Sequence, residues 1–124
     1  MFIYTATPGE WEEIQARKVF YDARFHEEGF IHCSYPGQTV PVLNKHYRQE
    51  KTVMLLVVDP GKLDAPWKSE DLKNRGEAFP HVYGPINLDA VVASHAIHRG
   101  EDGAFHENPA LTRMIHADRR SQSN

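Results

Sequence analysis

Thr52-Val53-Met54-Leu55-Leu56-Val57-Val58 constrains the fold of this chain more than any other stretch. A strand sends alternate side chains to opposite faces. This run is apolar in both phases, so both of its faces must be covered, and it reads as a central, buried strand. Asp59-Pro60-Gly61 ends it with clear turn chemistry. The 124 residues suffice for one domain with a real core and are too few for two.

The other elements are placed around that strand. Phe2 to Ala6 reads as a first strand. Thr7-Pro8-Gly9-Glu10 fits a capping box, with a threonine cap, proline at the first helical position and glutamate at the third. The helix it opens carries Trp11 and Ile14 and should stop near Lys18. Val19 to Tyr21 is a brief extended piece, and Asp22 to Glu27 a polar connection. Gln38 to Arg48 spaces Val40, Leu43 and Tyr47 helically, starting late enough to put Pro41 in the first turn. Leu63 to Leu72 is mixed, and Lys73 to Ala78 is a polar loop. Val91 to Ile97 alternates as a further strand. After the turn Glu101-Asp102-Gly103, the segment Ala104-Phe105-His106 could close a hairpin. A single domain over residues 1–107 is expected. Residues 108–124 form a C-terminal extension whose apolar pattern is limited to Leu111, Met114 and Ile115, with fraying from Asp118 to Asn124. The order of elements is mixed rather than alternating, which favours α+β.

Two segments carry the chemistry. Glu28-Gly29-Phe30-Ile31-His32-Cys33-Ser34, read as a strand before the Pro36-Gly37 turn, puts Phe30, His32 and Ser34 on one face. Phe79-Pro80-His81-Val82-Tyr83-Gly84-Pro85, also extended, does the same for Phe79, His81 and Tyr83. Two Phe-x-His-x-hydroxyl patterns in a small domain point to one pocket with two walls. Imidazole can act as acid, base or hydrogen-bond partner near neutral pH. Glu70 is the candidate carboxylate for that company, and Gln38, just past the turn, could reach the same mouth. Either histidine has a plainer alternative as a buried ring bonded to backbone, and Tyr83 as a packed ring with a surface hydroxyl.

Several classes are disfavoured. A net charge of -3 argues against a strongly electrostatic nucleic-acid binder. No apolar run approaches the roughly 20 residues that span a bilayer, and Met1-Phe2-Ile3-Tyr4-Thr5 lacks the blocks of a signal peptide. A cytoplasmic location is expected. The lone Cys33 can form no internal disulfide, and it faces away from His32 on a strand, which weakens a Cys/His nucleophile pair. No Gly-x-Gly-x-x-Gly, phosphate-binding loop or Gly-x-Ser-x-Gly is present. His32, His81 and Glu70 could supply a metal set, but tight ligand spacing is lacking and no metal is expected. His95 and His98 fall on opposite faces of a strand. His26, His46, His106 and His116 read as solvated.

The words EGFIHCS and FPHVYGP, with Gln38 between them, Trp11 early, LLVVDPGKL, and Asp102-Gly103-x-Phe105 late, resemble a bacterial family known only as domain of unknown function 952. The resemblance runs from about Ile3 to Phe105. It implies a fold similar to that of the ADP-ribosyltransferases: two small, mostly antiparallel sheets around a cleft, with helices outside. It further implies a small-molecule ligand, NAD as substrate or another ribose-phosphate compound. His32-Cys33-Ser34 is also similar to the His-x-Ser strand ending of the RNA 2'-phosphotransferase branch. Where the family often has a basic or histidine residue near the end of the first strand, this chain has Thr5. Under the resemblance, His32 and Ser34 would bond ribose hydroxyls or a phosphate, and Tyr83 or Phe30 would stack on a base. Glu70 would orient the acceptor or stabilise the cationic sugar as the glycosidic bond breaks, and His81 would bond a phosphate or act as acid.

Four readings follow. They are an enzyme on an NAD-like substrate, a non-catalytic metabolite-binding module using the same cleft, a metal-dependent hydrolase, and a protein-interaction domain using its edge strands. Glu70 separates the first two, because turnover needs it and binding does not. The last leaves the histidine pair without a purpose.

Overall fold

The computed structural model describes residues 1–122. It contains strands β1 (Phe2–Ala6), β2 (Val19–Phe20), β3 (Ile31–His32), β4 (Thr52–Val58), β5 (Trp67–Glu70), β6 (Phe79–Val82), β7 (Ile86–Asn87) and β8 (Val91–His98). Its helices are α1 (Pro8–Arg17), α2 (Phe25–Glu28), α3 (Thr39–His46) and α4 (Pro109–Gln122). The architecture is mixed α and β with small antiparallel sheets, in line with the α+β expectation.

As its two apolar faces require, β4 is central, flanked by β1 and β8 in antiparallel register. Alternation along these strands sorts side chains between two cores. Phe2, Tyr4, Leu56 and Val58 enter a first core with Ile14, Ile31 and Val82. Ile3, Val53 and Leu55 enter a second with Leu43, Phe105 and Leu111. A second sheet has the order β3-β6-β5, and β2 pairs with β7. The two three-stranded sheets meet where the chain beyond β3 bridges to β1. There the Ile3 N–H donates to the Ser34 carbonyl at 2.7 Å, and the Ser34 N–H donates to the Ile3 carbonyl at 2.8 Å.

The local signals act as their chemistry dictates. Thr7 Oγ1 accepts from the Glu10 N–H at 3.1 Å, and Glu10 Oε1 accepts from the Thr7 N–H at 3.0 Å, completing the capping box. Helix α1 ends at Lys18, whose φ of 65° is left-handed. Pro41 lies in the first turn of α3, so its missing N–H costs no helical bond.

Other expectations are corrected. The polar connection after Tyr21 contains α2, a single turn closed by Gly29 at φ 81°. The segment Trp67 to Glu70 is a strand because β6 pairs with it. Ala104 to His106 forms no strand; Phe105 leaves the turn and is fully buried in the second core, its N–H held by Asn44 Oδ1 at 2.8 Å. The C-terminal segment forms α4, and of its expected apolar residues Leu111 and Ile115 are buried in the second core. The helix backbone continues through Gln122. Of the stretch expected to fray, Ser123 and Asn124 lie outside the described residues.

Candidate active site

One face of the β3-β6-β5 sheet belongs to the first core, through Ile31, Val82 and Trp67. The other face carries the histidines. In register, His32 lies directly opposite His81, and His81 directly opposite Lys68, and residues facing one another across strands share a face. The rings interlock: Phe30 stacks on His81 with centroids 4.1 Å apart and touches His32 at 4.7 Å and Tyr83 at 5.5 Å. His32 and His81 meet edge to face at 5.4 Å. The sequence patterns therefore place Phe30, His32, His81 and Tyr83 in one cluster.

Glu70, at the end of β5, joins it. His81 Nδ1 lies 3.1 Å from Glu70 Oε1, and the Tyr83 hydroxyl donates to the same oxygen. Two donors on Oε1 leave Oε2 free for a ligand. The Tyr83 hydrogen bond, more than that of His81, holds the Glu70 carboxyl below its usual range, and the same bond pushes the Tyr83 hydroxyl up. Burial lowers the His81 pKa against the opposing pull of Glu70. His81 is thus neutral at neutral pH. With its proton on Nδ1 toward Glu70, Nε2 carries the lone pair and can accept a proton or a hydrogen bond. His32 Nε2 pairs with Glu28 Oε2, a contact that holds the Glu28 carboxyl below its usual range.

This face borders an open cavity of about 730 Å³, lined elsewhere by residues of β1, α2, α3 and the loop between β5 and β6. Phe30, His32, Ser34, Gln38, Glu70 and His81 all line it. Tyr83 does not: it stands behind Glu70, with Lys68 Nζ 5.4 Å from its ring centroid. Tyr83 is therefore placed to position the carboxylate rather than to stack on a ligand. Ser34 and Gln38 are engaged by the fold. The Thr39 hydroxyl donates to the Tyr35 carbonyl, so the Ser34 hydroxyl is the donor in its 3.2 Å contact with Thr39 Oγ1. Gln38 Nε2 donates to the Ala78 carbonyl at 2.7 Å, and its Oε1 accepts from the Tyr35 N–H at 2.9 Å. Gln38 thus ties the turn after β3 to the start of β6.

Cys33 is buried, and burial pushes its thiol up, away from thiolate chemistry. No cluster of three or more metal-ligating side chains occurs among the described residues. Sequence reasoning missed a set of cations. Arg24, Lys45, Lys73 and Arg75 also line the cavity, as does His46, expected among the solvated histidines. They come from connections and helix ends that meet only in the folded chain. The one readable signal was their concentration in the polar segments that flank the two histidine patterns.

No helix among the described residues is long and apolar enough to cross a membrane. No protein of curated function matches the chain. Among solved structures, it is similar to protein CC0527 from Caulobacter crescentus, in a crystal structure and in that of a double mutant. Each shows 25% identity and a TM-score of 0.75, covering 90% of this chain and 97% of the other. The solution NMR structure of CC0527 shows 28% identity and a TM-score of 0.66, over 83% of this chain and 89% of that one. The profile of the family described as "Protein of unknown function (DUF952)" matches residues 5–94. That span runs from the end of β1 into β8 and includes both histidine segments and Glu70, and the chain belongs to the DUF952 family.

Proposed function

We propose that the cavity binds NAD or a related ribose-phosphate compound and that the protein is an enzyme acting at the glycosidic carbon. The observation that carries this reading is Glu70: a carboxylate at the cavity, fixed through one oxygen by His81 and Tyr83, with the second oxygen available. Breaking a C1′–N bond sends both bonding electrons to the departing base and leaves positive charge on the ribose, until the oxygen of water or of an acceptor hydroxyl bonds to C1′ and gives up its proton. A preorganised anion beside that carbon stabilises the charge as it develops. The lone pair of His81 Nε2 accepts a ribose hydroxyl, and His32 contributes its free Nδ1. Two small antiparallel sheets, joined at the Ile3–Ser34 bridge beside the cavity, support an ADP-ribosyltransferase-like fold. Shared architecture alone does not specify a reaction, so the site carries the argument.

Thermal unfolding tests it. NAD or ADP-ribose at one hundred times its dissociation constant stabilises the native state by about 2.7 kcal/mol. The melting temperature of the wild type should rise with either ligand, and the rise should vanish in His32→Ala. Glu70→Gln should then keep ligand binding and lose turnover of NAD. No shift with any nucleotide overturns the proposal, and binding without turnover in the wild type reassigns the cavity to a binding module.

A further inference from the structure

We infer that the cavity is electrically polarised and that its wall of Arg24, Lys45 and His46 seats the phosphates of a nucleoside diphosphate-type ligand. The inference deepens the preceding reading and rests on it for the sugar end of the ligand. Formal charges around the cavity balance in number: Arg24, Lys45, Lys73 and Arg75 against Glu28, Glu70, Asp71 and Glu77. Their engagement does not balance. Glu70 is held by His81 and Tyr83, and Glu28 by His32. Asp71 accepts the backbone N–H groups of Arg75 at 3.0 Å and Gly76 at 2.7 Å. Three of the four carboxylates thus already have donors. Three ion pairs join a histidine to a carboxylate: His32 to Glu28, His81 to Glu70 and His106 to Asp102. The side chains of Arg24, Lys45, Lys73 and Arg75 take part in none of them.

The charges are also unevenly placed. Glu70, Asp71 and Glu77 lie on β5 and the loop after it, where they outnumber Lys73 and Arg75 of the same loop, whereas Arg24 precedes α2 and Lys45 and His46 end α3. Glu28 is the one cavity-lining carboxylate on that second side, and His32 holds it; Asp22, outside the lining, also feels the charge of Arg24. After burial, the largest influences on His46 come from Lys45, Arg24 and Lys73, each disfavouring its protonation. Those cations therefore act on one place. A guanidinium fork and an ammonium supply paired and single donors to phosphate oxygens, and a cavity of this size holds a nucleotide. The arrangement orients the ligand, with its anionic end toward α2 and α3 and its sugar toward Glu70.

The test is calorimetric titration with inorganic pyrophosphate and, separately, ADP-ribose. Wild type should bind pyrophosphate with an affinity that falls as salt rises. Arg24→Ala/Lys45→Ala should weaken both ligands at least about tenfold, the loss of about 1.4 kcal/mol of binding. The charge-keeping Arg24→Lys/Lys45→Arg should restore most of it. Lys51→Ala/Lys62→Ala, outside the cavity, should match the wild type. Arg24 and Lys45 are exposed, so unchanged circular dichroism should accompany the loss. Wild type that fails to bind pyrophosphate at about 10 mM, roughly the weakest dissociation constant worth considering, overturns the seat. So does ADP-ribose binding that ignores Arg24→Ala/Lys45→Ala, an outcome that leaves the Glu70 reading standing. Pyrophosphate binding that depends on Arg24 and Lys45, without binding of NAD or ADP-ribose, supports the seat and removes the glycosyl reading instead.

Discussion

At Glu70, one carboxylate oxygen receives two donors, and the effect of removing one has a definite sign. Tyr83→Phe deletes the hydroxyl that contributes most to holding the Glu70 carboxyl down. The carboxyl should then titrate at higher pH, read from the pH dependence of its ¹³C resonance. An unchanged midpoint would mean that the hydroxyl does not hold the carboxylate in solution. His81 gives a second residue-scale prediction. Burial lowers its pKa from the ordinary value of 6.5, so the unfolded chain takes up a proton that the native state resists. Stability from this residue is complete above about pH 6.5 and declines as the pH falls below it. His46 acts with the same sign, whereas the lowered carboxyls of Glu28 and Glu70 withdraw stability only at still lower pH. The melting temperature should fall from pH 7.5 to 5.5, less steeply in His81→Asn; equal slopes would refute the buried neutral imidazole. Which residues share the site was legible from alternation, since Phe30, His32, His81 and Tyr83 are neighbours by strand geometry. That Tyr83 stands behind Glu70 was not, because alternation fixes a face and not a depth.

Elements were legible in proportion to how local their causes are. The capping box of α1 and the doubly apolar β4 are written in consecutive residues, and the chain obeys both. Strand β5 was hidden because Trp-Lys-Ser-Glu carries little strand propensity; its pairing with β6 makes it a strand. Helix α2 was hidden because it is one turn with no side-chain cap. Helix α4 showed Leu111, Met114 and Ile115 at spacings of three and four, but the core it joins draws on Ile3, Leu43, Val53, Leu55, Ile97 and Phe105, residues far apart in the sequence. The consequence is a stability prediction for a segment first read as an extension. Leu111 is fully buried, so Leu111→Ala should cost about 2–5 kcal/mol, the range for emptying a closed leucine site. Urea unfolding measures it, and a loss under about 0.5 kcal/mol, the scale of surface substitutions, would show that α4 is not part of the core.

Over the whole molecule, β4 is the partition between two cores, and each of its faces belongs to a different one. The cavity lies where the two sheets meet, so its walls depend on both cores being formed. The cationic wall at α2 and α3 was beyond the reach of the sequence for that reason: only the packed domain brings Arg24 and Lys45 to the same opening. A shared partition also dictates how the protein unfolds. Loss of the second core uncovers one face of β4 and removes the support of the other, so the two cannot melt separately. Both tryptophans, Trp11 and Trp67, pack on the first core, which makes their fluorescence a reporter of that core alone. Phe105→Ala, in the second core, should cost about 3–5 kcal/mol. It should lower the fluorescence midpoint and the far-ultraviolet circular dichroism midpoint by the same amount, as a two-state domain requires. A fluorescence midpoint that stays at the wild-type value while circular dichroism shifts would mean two independently melting halves. The cavity would then be walled by elements free to open on one side, and its fixed carboxylate could no longer be taken as preorganised.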